Sequence, residues 1–409
     1  MKACIVCYGF REDNIRLQPW RYISEIASGL IHNNIDVTII TDGNLENEGI
    51  NGIPVVHFQK LRSLPFVPNW KLISLIRAEN PDVIFWSVGP IDYLYMSTFK
   101  RTDVPLIGLF TGPLYSLSEI TRLGIKEMAA NFGILSVTLV YASLPSFFVR
   151  GLANSPYFKK VFVMSKKNRH VLESIGVQKN KIVHVPAGID KYDLIKPDDC
   201  DSIISKYGLN ESSFNVLYFG SPASIRGIDS LIRAVSMVVK EYPNVRLLIL
   251  SRRRGENLDN EEMFVRNLIM ELEIDDNVQI ISGFLDREEV KKFIAFCDMV
   301  ALPFRIVPSD VPTSILESMA MGKAVISTNV DGIPELLEDG RGLIVEPNSD
   351  EELVQKITLC ITNHDMLHSI SEKSVAYMQT YPGWDEVTKK VIYEIAGFVS
   401  IEMKKEAAS

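Results

Sequence analysis

The stretch Met299-Val-Ala-Leu-Pro-Phe-Arg-Ile-Val-Pro-Ser-Asp-Val-Pro-Thr-Ser-Ile-Leu-Glu317-Ser-Met-Ala-Met-Gly322-Lys-Ala-Val-Ile-Ser-Thr-Asn-Val-Asp-Gly332-Ile-Pro-Glu335 decides the fold. Its pattern predicts strand, loop, helix, strand, loop. The apolar run Met299 to Leu302 stops at Pro303, and a polar loop with Pro308 and Pro312 follows. A short helix opens at Thr313 or Ser314 and closes at Gly322, a residue type suited to a helix C-terminus. The β-branched run Ala324 to Ser327 then leads to a second loop ending at Gly332-Ile-Pro334. Such a unit puts a polar loop and a helix N-terminus at the carboxyl edge of a parallel sheet, where open α/β folds bind ligands. The amides of Thr313, Ser314 and Ile315, with the helix dipole, suit a phosphate. Glu317 lies near whatever those amides hold.

Working outward, residues 2 to 190 alternate strands with helical patterns, and the alternation restarts at Asn215. With 409 residues the chain exceeds one ordinary core. The expectation is an N-terminal unit over 1–190, a C-terminal unit over 191–375, and a closing helix over 376–409. The Pro-containing acidic stretch Lys196 to Asp201 marks the boundary. A composition of 46% hydrophobic and 23% charged residues fits a soluble globular protein. A net charge of −8 argues against a general nucleic-acid binder, which displaces counterions with basic surface. Five scattered cysteines fit a reducing cytoplasm. Cys4 and Cys7 have CxxC spacing, but in a strand they point to opposite faces, which favours packing over redox chemistry. No secretory signal opens the chain. From Met128 to Val149 no residue carries a charge. Pro145 and several polar residues dilute that segment. It reads first as a buried helix followed by a loop, second as an interfacial segment, and last as a membrane span.

Three loops of the second half follow consecutive strands and should meet at one edge: Gly220 to Gly227, Ser251 to Gly255, and Pro303 to Thr313. They supply Arg226, Arg252 to Arg254, Arg305, helix amides and Glu317. Arginines and a helix N-terminus on one rim suit a diphosphate, and a carboxylate beside them suits the vicinal hydroxyls of a ribose. Metal sites are not expected. His364 and His368 have i, i+4 spacing without a third ligand, and no DxD triplet marks a strand-end loop. There is no P-loop, and no GxGxxG follows the first strand.

Val216-Leu-Tyr-Phe-Gly220…Arg226-Gly-Ile-Asp-Ser-Leu-Ile-Arg-Ala234 resembles the "GR(x)4KG(x)nL(x)2A" segment of retaining glycosyltransferases of family 4. Glu317 to Glu335 is similar to that family's "EAMACGKPVVATDVGGIPE". Gly283-Phe284, Asp298 to Pro303, Val163-Met-Ser165, Pro186-Ala-Gly-Ile-Asp190 and Trp384 add to the resemblance. It implies a GT-B fold, two Rossmann-like domains facing across a cleft, with the last helix returning to the first. It implies a nucleotide-diphosphate sugar donor on the second domain, a glycan or lipid-linked acceptor on the first, and no cofactor or metal. Carried over, Arg226 holds the diphosphate, Glu317 the ribose, and the amides of Thr313 to Ile315 the phosphates. Arg252, Phe284 and Leu285 border the base, with Gly220 beside them. Where the family has an arginine after the strand-end glycine, this chain has Ser221. Its sugar-contacting glutamate falls on Ser309, with Asp310 beside it. Its histidine falls on Thr111 before Gly112, and Gly9 is the nearest counterpart of its first-loop glycines. The expected location is the cytoplasm, and the uncharged segment 128–149, in the half that should face the acceptor, is expected to help a lipid-linked or membrane-borne acceptor approach at the inner face of a membrane. The competing expectations are a degenerate protein that binds or regulates, and a nucleotide-sugar epimerase or hydrolase.

Overall fold

The computed structural model describes residues 1–44, 49–197, 199–252, 260–283, 285–307 and 309–406. Two sheets organise them. The first contains β1 Lys2–Cys7, β2 Asp36–Thr41, β3 Gly49–Ile50, β4 Ile53–His57, β5 Val83–Ser87, β6 Leu106–Phe110, β7 Phe158–Val163 and β8 Ile182–His184. Their order is β3-β4-β2-β1-β5-β6-β7-β8. All neighbours are parallel except β3 and β4, which form a short antiparallel edge. The second sheet contains β9 Phe214–Gly220, β10 Val245–Ser251, β11 Val278–Ser282, β12 Met299–Leu302, β13 Ala324–Thr328 and β14 Leu343–Val345. Its order, β11-β10-β9-β12-β13-β14, is wholly parallel.

That second order is the doubly wound arrangement in which the chain reverses direction beside its first strand. A crevice opens there between the carboxyl ends of β9 and β12. Central strands are buried on both faces and so read as continuous apolar runs. Met299 to Leu302 are all fully buried. Cys4 and Cys7 pack into cores on opposite sides of β1, as the packing reading expects.

The uncharged segment differs from its expectation. It is a chain of helices, with Phe132–Ser143 and Ser146–Ala153 meeting at Pro145, so a second helix stands where a loop was expected. The bend between Leu135–Ser143 and Ser146–Ala153 is 83°, and among the described residues no single helix is long and apolar enough to cross a membrane. Helix His364–Thr380 is not anticipated by the sequence reading. The last helix, Trp384–Glu406, packs along the first helix, Trp20–His32; the Cβ of any larger residue at Gly29 would lie 2.0 Å from the Thr388 hydroxyl.

Candidate functional site

The crevice between β9 and β12 gathers the expected residues unequally. On the β9 side the loop from Gly220 turns through Ser224–Arg226 and enters helix Ile228–Val238. Two glycines make the turn possible. Gly227 has φ +72°, and a Cβ there would lie 1.9 Å from the Pro303 carbonyl oxygen. Gly220 has φ +129°, and a Cβ would lie 2.5 Å from a guanidinium nitrogen of Arg226. The loop is therefore folded tightly enough to nest Arg226 against the strand end, with its guanidinium carbon 5.6 Å above the Phe304 ring. Arg226 is half-buried and also hydrogen-bonds the Tyr218 side chain.

The neighbouring strand ends are tied together. The Arg252 amide donates to the Gly220 carbonyl at 3.1 Å, and the Gly283 amide to that of Ser251 at 3.0 Å. Ser221 donates its hydroxyl to Glu261 at 2.7 Å, so the residue in the place of the family's arginine is bound within the domain. Leu285 packs, partly buried, against the large hydrophobic core. Phe284, Arg253, Arg254 and Pro308 lie outside the described residues. Glu262 braces β10 and β11 by accepting from Ser251 at 2.8 Å and Ser282 at 2.5 Å.

On the β12 side, helix Thr313–Ala320 begins after Pro312. The Ile315 amide is turned onto the Pro312 carbonyl at 3.2 Å, which corrects the expectation of three free amides; Thr313 and Ser314 stand in the first turn as candidate donors. Glu317 lies one turn later. Its carboxyl is pushed up to about 7, first by burial, against the opposing pull of Arg21.

Arg305 corrects a second expectation. It is buried, and its guanidinium is taken up by partners within the protein. It pairs with Asp229 at 2.7 Å and Glu127 at 3.2 Å, and donates to the Ser224 carbonyl at 2.6 Å. It is a strut that fixes the Arg226 loop and ties it to the first domain.

Ser309 and Asp310 are buried at 3% and 0% exposure. The Asp310 amide faces the Thr111 carbonyl at 3.5 Å. Asn168 donates to Asp310 Oδ2 at 2.9 Å and to the Gly112 carbonyl at 3.0 Å. The Tyr115 hydroxyl accepts from the Val307 amide at 2.8 Å. The loop before helix Thr313–Ala320 is thus stitched to the first domain. Thr111 is buried too, and its described contact is through its backbone. Beside this seam Lys167 pairs with Glu119 at 2.7 Å and Asp331 at 3.5 Å. Burial raises the Asp310 carboxyl to about 7, and it raises Asp331 well above the carboxylate range with help from the Asp310 charge.

The first-domain crevice lies where Gly9 ends β1 and Gly89 follows β5. Gly9 has φ +64° and donates its amide to Asp42 at 2.7 Å. Asp92 is fully buried there and accepts from Arg62, Tyr8 and the Gly89 amide. Arg62 also donates to the Tyr141 hydroxyl at 3.2 Å. None of Arg62, Asp92 or Tyr8 carries a local sequence signal.

Helix Phe132–Ser143 bridges the two domains. Leu135 joins Ala223, Ile225 and Ile306 in one core, with Leu139 and Ala142 against it. Asn131 donates to the Ser224 hydroxyl at 3.0 Å. Phe132, Val137, Val140 and Phe147 are exposed, as are Leu64, Phe66 and Val67 of the loop that follows Arg62. Among the described residues no three His, Cys, Asp or Glu side chains come together to hold an ion. His368 faces Glu372 at 3.6 Å.

A family model described as glycosyl transferases group 1 matches residues 199–376, and one described as Glycosyltransferase Family 4 matches residues 20–191. An uncharacterized glycosyltransferase of Haemophilus influenzae is 28% identical over 41% of this chain and 44% of its own length. A D-inositol 3-phosphate glycosyltransferase of Segniliparus rotundus is 25% identical over 51% of this chain and 45% of its own. The chain therefore spans less than half the length of these curated relatives. The structure of Anabaena HepE in complex with UDP superposes with TM-score 0.74 at 16% identity, covering 97% of this chain and 100% of that one. The shared architecture is GT-B, two Rossmann-like domains facing across a cleft.

Proposed function

We propose that this chain, which belongs to the group 1, family 4 glycosyltransferases, moves a sugar from a nucleotide-diphosphate donor to a hydroxyl acceptor with retention of configuration. The reading is supported by one placement: the loop carrying Arg226 follows β9 and the helix Thr313–Ala320 with Glu317 follows β12, and these two strands are neighbours where the second sheet reverses its order. A guanidinium and helix amides together match a diphosphate, and a carboxylate one turn further along matches a ribose diol.

In the proposed reaction the bond from the anomeric carbon to the diphosphate oxygen breaks, and the acceptor oxygen bonds to that carbon on the same face. The acceptor's proton passes to the departing phosphate oxygen. The protein's part is electrostatic: Arg226 and the helix N-terminus take up the charge that grows on the leaving group. No metal is required for that task. Ser309 and Asp310 are assigned to the donor-sugar hydroxyls, with Thr111 and Gly112 alongside; Ser309, Asp310 and Thr111 are buried, and Gly112 stands at the more open end of the seam.

The acceptor we assign is a lipid-linked saccharide or lipid at the inner face of a membrane. The support is the exposure of Phe132, Val137, Val140 and Phe147 along the uncharged segment, whose Tyr141 hydroxyl accepts from Arg62 beside the first-domain crevice, and of Leu64, Phe66 and Val67 shortly after Arg62. The test is a mass-spectrometric screen of nucleotide sugars against a mixture of lipid and saccharide acceptors, with the product's anomeric configuration read by NMR. Transfer with retention is expected. Nucleotide binding without transfer to any acceptor points to a binding protein, and sugar release to water alone points to a hydrolase.

A further inference from the structure

Glu317 and Arg21 meet across the cleft although 296 positions separate them in sequence. Arg21 stands in the first turn of helix Trp20–His32, in the first domain. One of its terminal nitrogens lies 3.4 Å from Glu317 Oε1, the other 2.9 Å from Asp190, and its Nε 3.9 Å from Glu25. Asp190 is held in turn by Arg287 at 2.5 Å, and Arg287 also pairs with Asp193 at 2.6 Å. This line of charges runs from the first domain, through the segment that joins the domains, to the second. Only 14% of the Arg21 side chain is exposed, so the pair is poorly screened by salt.

We infer that Arg21 is a positioning residue for the nucleotide ribose: from the first domain it aims the Glu317 carboxylate, and so sets the affinity of the second-domain nucleotide site across the cleft. The inference rests on the reading of Glu317 as the ribose-binding group. An ionised carboxylate only accepts hydrogen bonds, and two oxygens can take both hydroxyls of a diol; a protonated one places its own O–H among them. Burial works against the ionised form of Glu317. Arg21 is the first charge that opposes it, followed by Arg287, while Asp193 adds to the burial effect. Asp190 and Glu25 complete the charged groups around the pair. The ionised form exists above the carboxyl's own pKa, about 7 with Arg21 in place. Affinity that depends on it falls as pH drops through that value. Without Arg21 the fall begins at higher pH.

The experiment is calorimetric titration of the full chain with uridine and guanosine diphosphate between about pH 6 and pH 9, a range that brackets the shifted carboxyl. Wild type is compared with R21A and R21K. R21A is expected to bind about tenfold more weakly at neutral pH, as fits loss of one charge-assisted contact. That deficit should narrow toward the alkaline end, and R21K should restore part of the affinity. If R21A does not fold, R21K carries the same test, with a smaller shift in the same direction. Unchanged affinity overturns the inference, as does an equal weakening at every pH, which is what loss of packing alone produces. Failure of wild type to bind any nucleotide diphosphate is a separate outcome, which overturns the nucleotide-site reading and this inference with it.

Discussion

The loops after β9 and β12 sit side by side at one sheet edge and are built by different means. The first, Gly220 to Gly227, takes its turn from its own glycines, and Asn131 and Leu135 of the first domain touch its middle, at Ala223 to Ile225. Glycines at φ +129° and +72° fold it, and Arg226 is left half-exposed at its end. The second, Val307 to Asp310, takes its contacts from the other domain: Tyr115, Thr111 and Asn168 hold it, and Ser309 and Asp310 are buried in the seam. The nucleotide half of the proposed site is therefore built on loops of the second domain, with Arg21 reaching Glu317 from the first. The proposed sugar half lies where the two domains meet, with Ser309 and Asp310 buried in the seam.

The largest effect should come from the strut joining the two loops. Replacing Arg305 with Met leaves Asp229 and Glu127 without their shared partner, and removing one member of a buried pair costs about 3–5 kcal/mol. Denaturant unfolding reads that loss directly. An unchanged midpoint would separate the two loops and break the comparison. Next comes R226A. Withdrawing a donor that stabilises charge on the leaving group is expected to slow transfer by roughly 100- to 1000-fold, with thermal stability kept, because Arg226 is only half-buried.

A smaller effect belongs to the seam. The Asp310 carboxyl is raised to about 7 from an ordinary 3.8, so its neutral form is the one the fold prefers. Its contribution to stability is present below about pH 4 and is lost as pH rises from there through about 7. D310N fixes a neutral side chain, so the melting temperature at pH 8 should rise by roughly 2–4 °C relative to wild type, and the difference should vanish in acid. A lower melting temperature in the variant at pH 8 would show that the ionised carboxylate is the stabilising form. The smallest expected effect is at the rim. F147S should weaken sedimentation with anionic liposomes without changing nucleotide affinity, because one exposed ring contributes about 1.5–3 kcal/mol when buried. Equal sedimentation of the two proteins would remove the apolar face from the acceptor's route.

What was legible in the sequence follows the same division. Met299–Leu302 is a strand over the residues expected, because a strand buried on both faces must be apolar throughout. Arg226 and Glu317 stand out in the sequence because a strand, a glycine turn and a helix start are local patterns. Gly49–Ile50 is too short to leave a period, and helix His364–Thr380 has too mixed a polar pattern to stand out. Arg21, Tyr115 and Asn168 owe their importance to partners between 142 and 296 positions away, a distance over which one sequence carries no pairing signal. Arg305 was misread for the same reason. An arginine beside a strand end looks alike in sequence whether it faces a phosphate or a buried aspartate.

The most direct test of the central claim is calorimetric titration of wild type, R226A and D310N with nucleotide diphosphates under one set of conditions. If the nucleotide half depends on Arg226 and not on the seam, wild type and D310N bind with similar affinity and R226A loses most of it, by about tenfold or more. If D310N loses binding while R226A keeps it, or if wild type binds no nucleotide diphosphate, the division of the site drawn here is wrong.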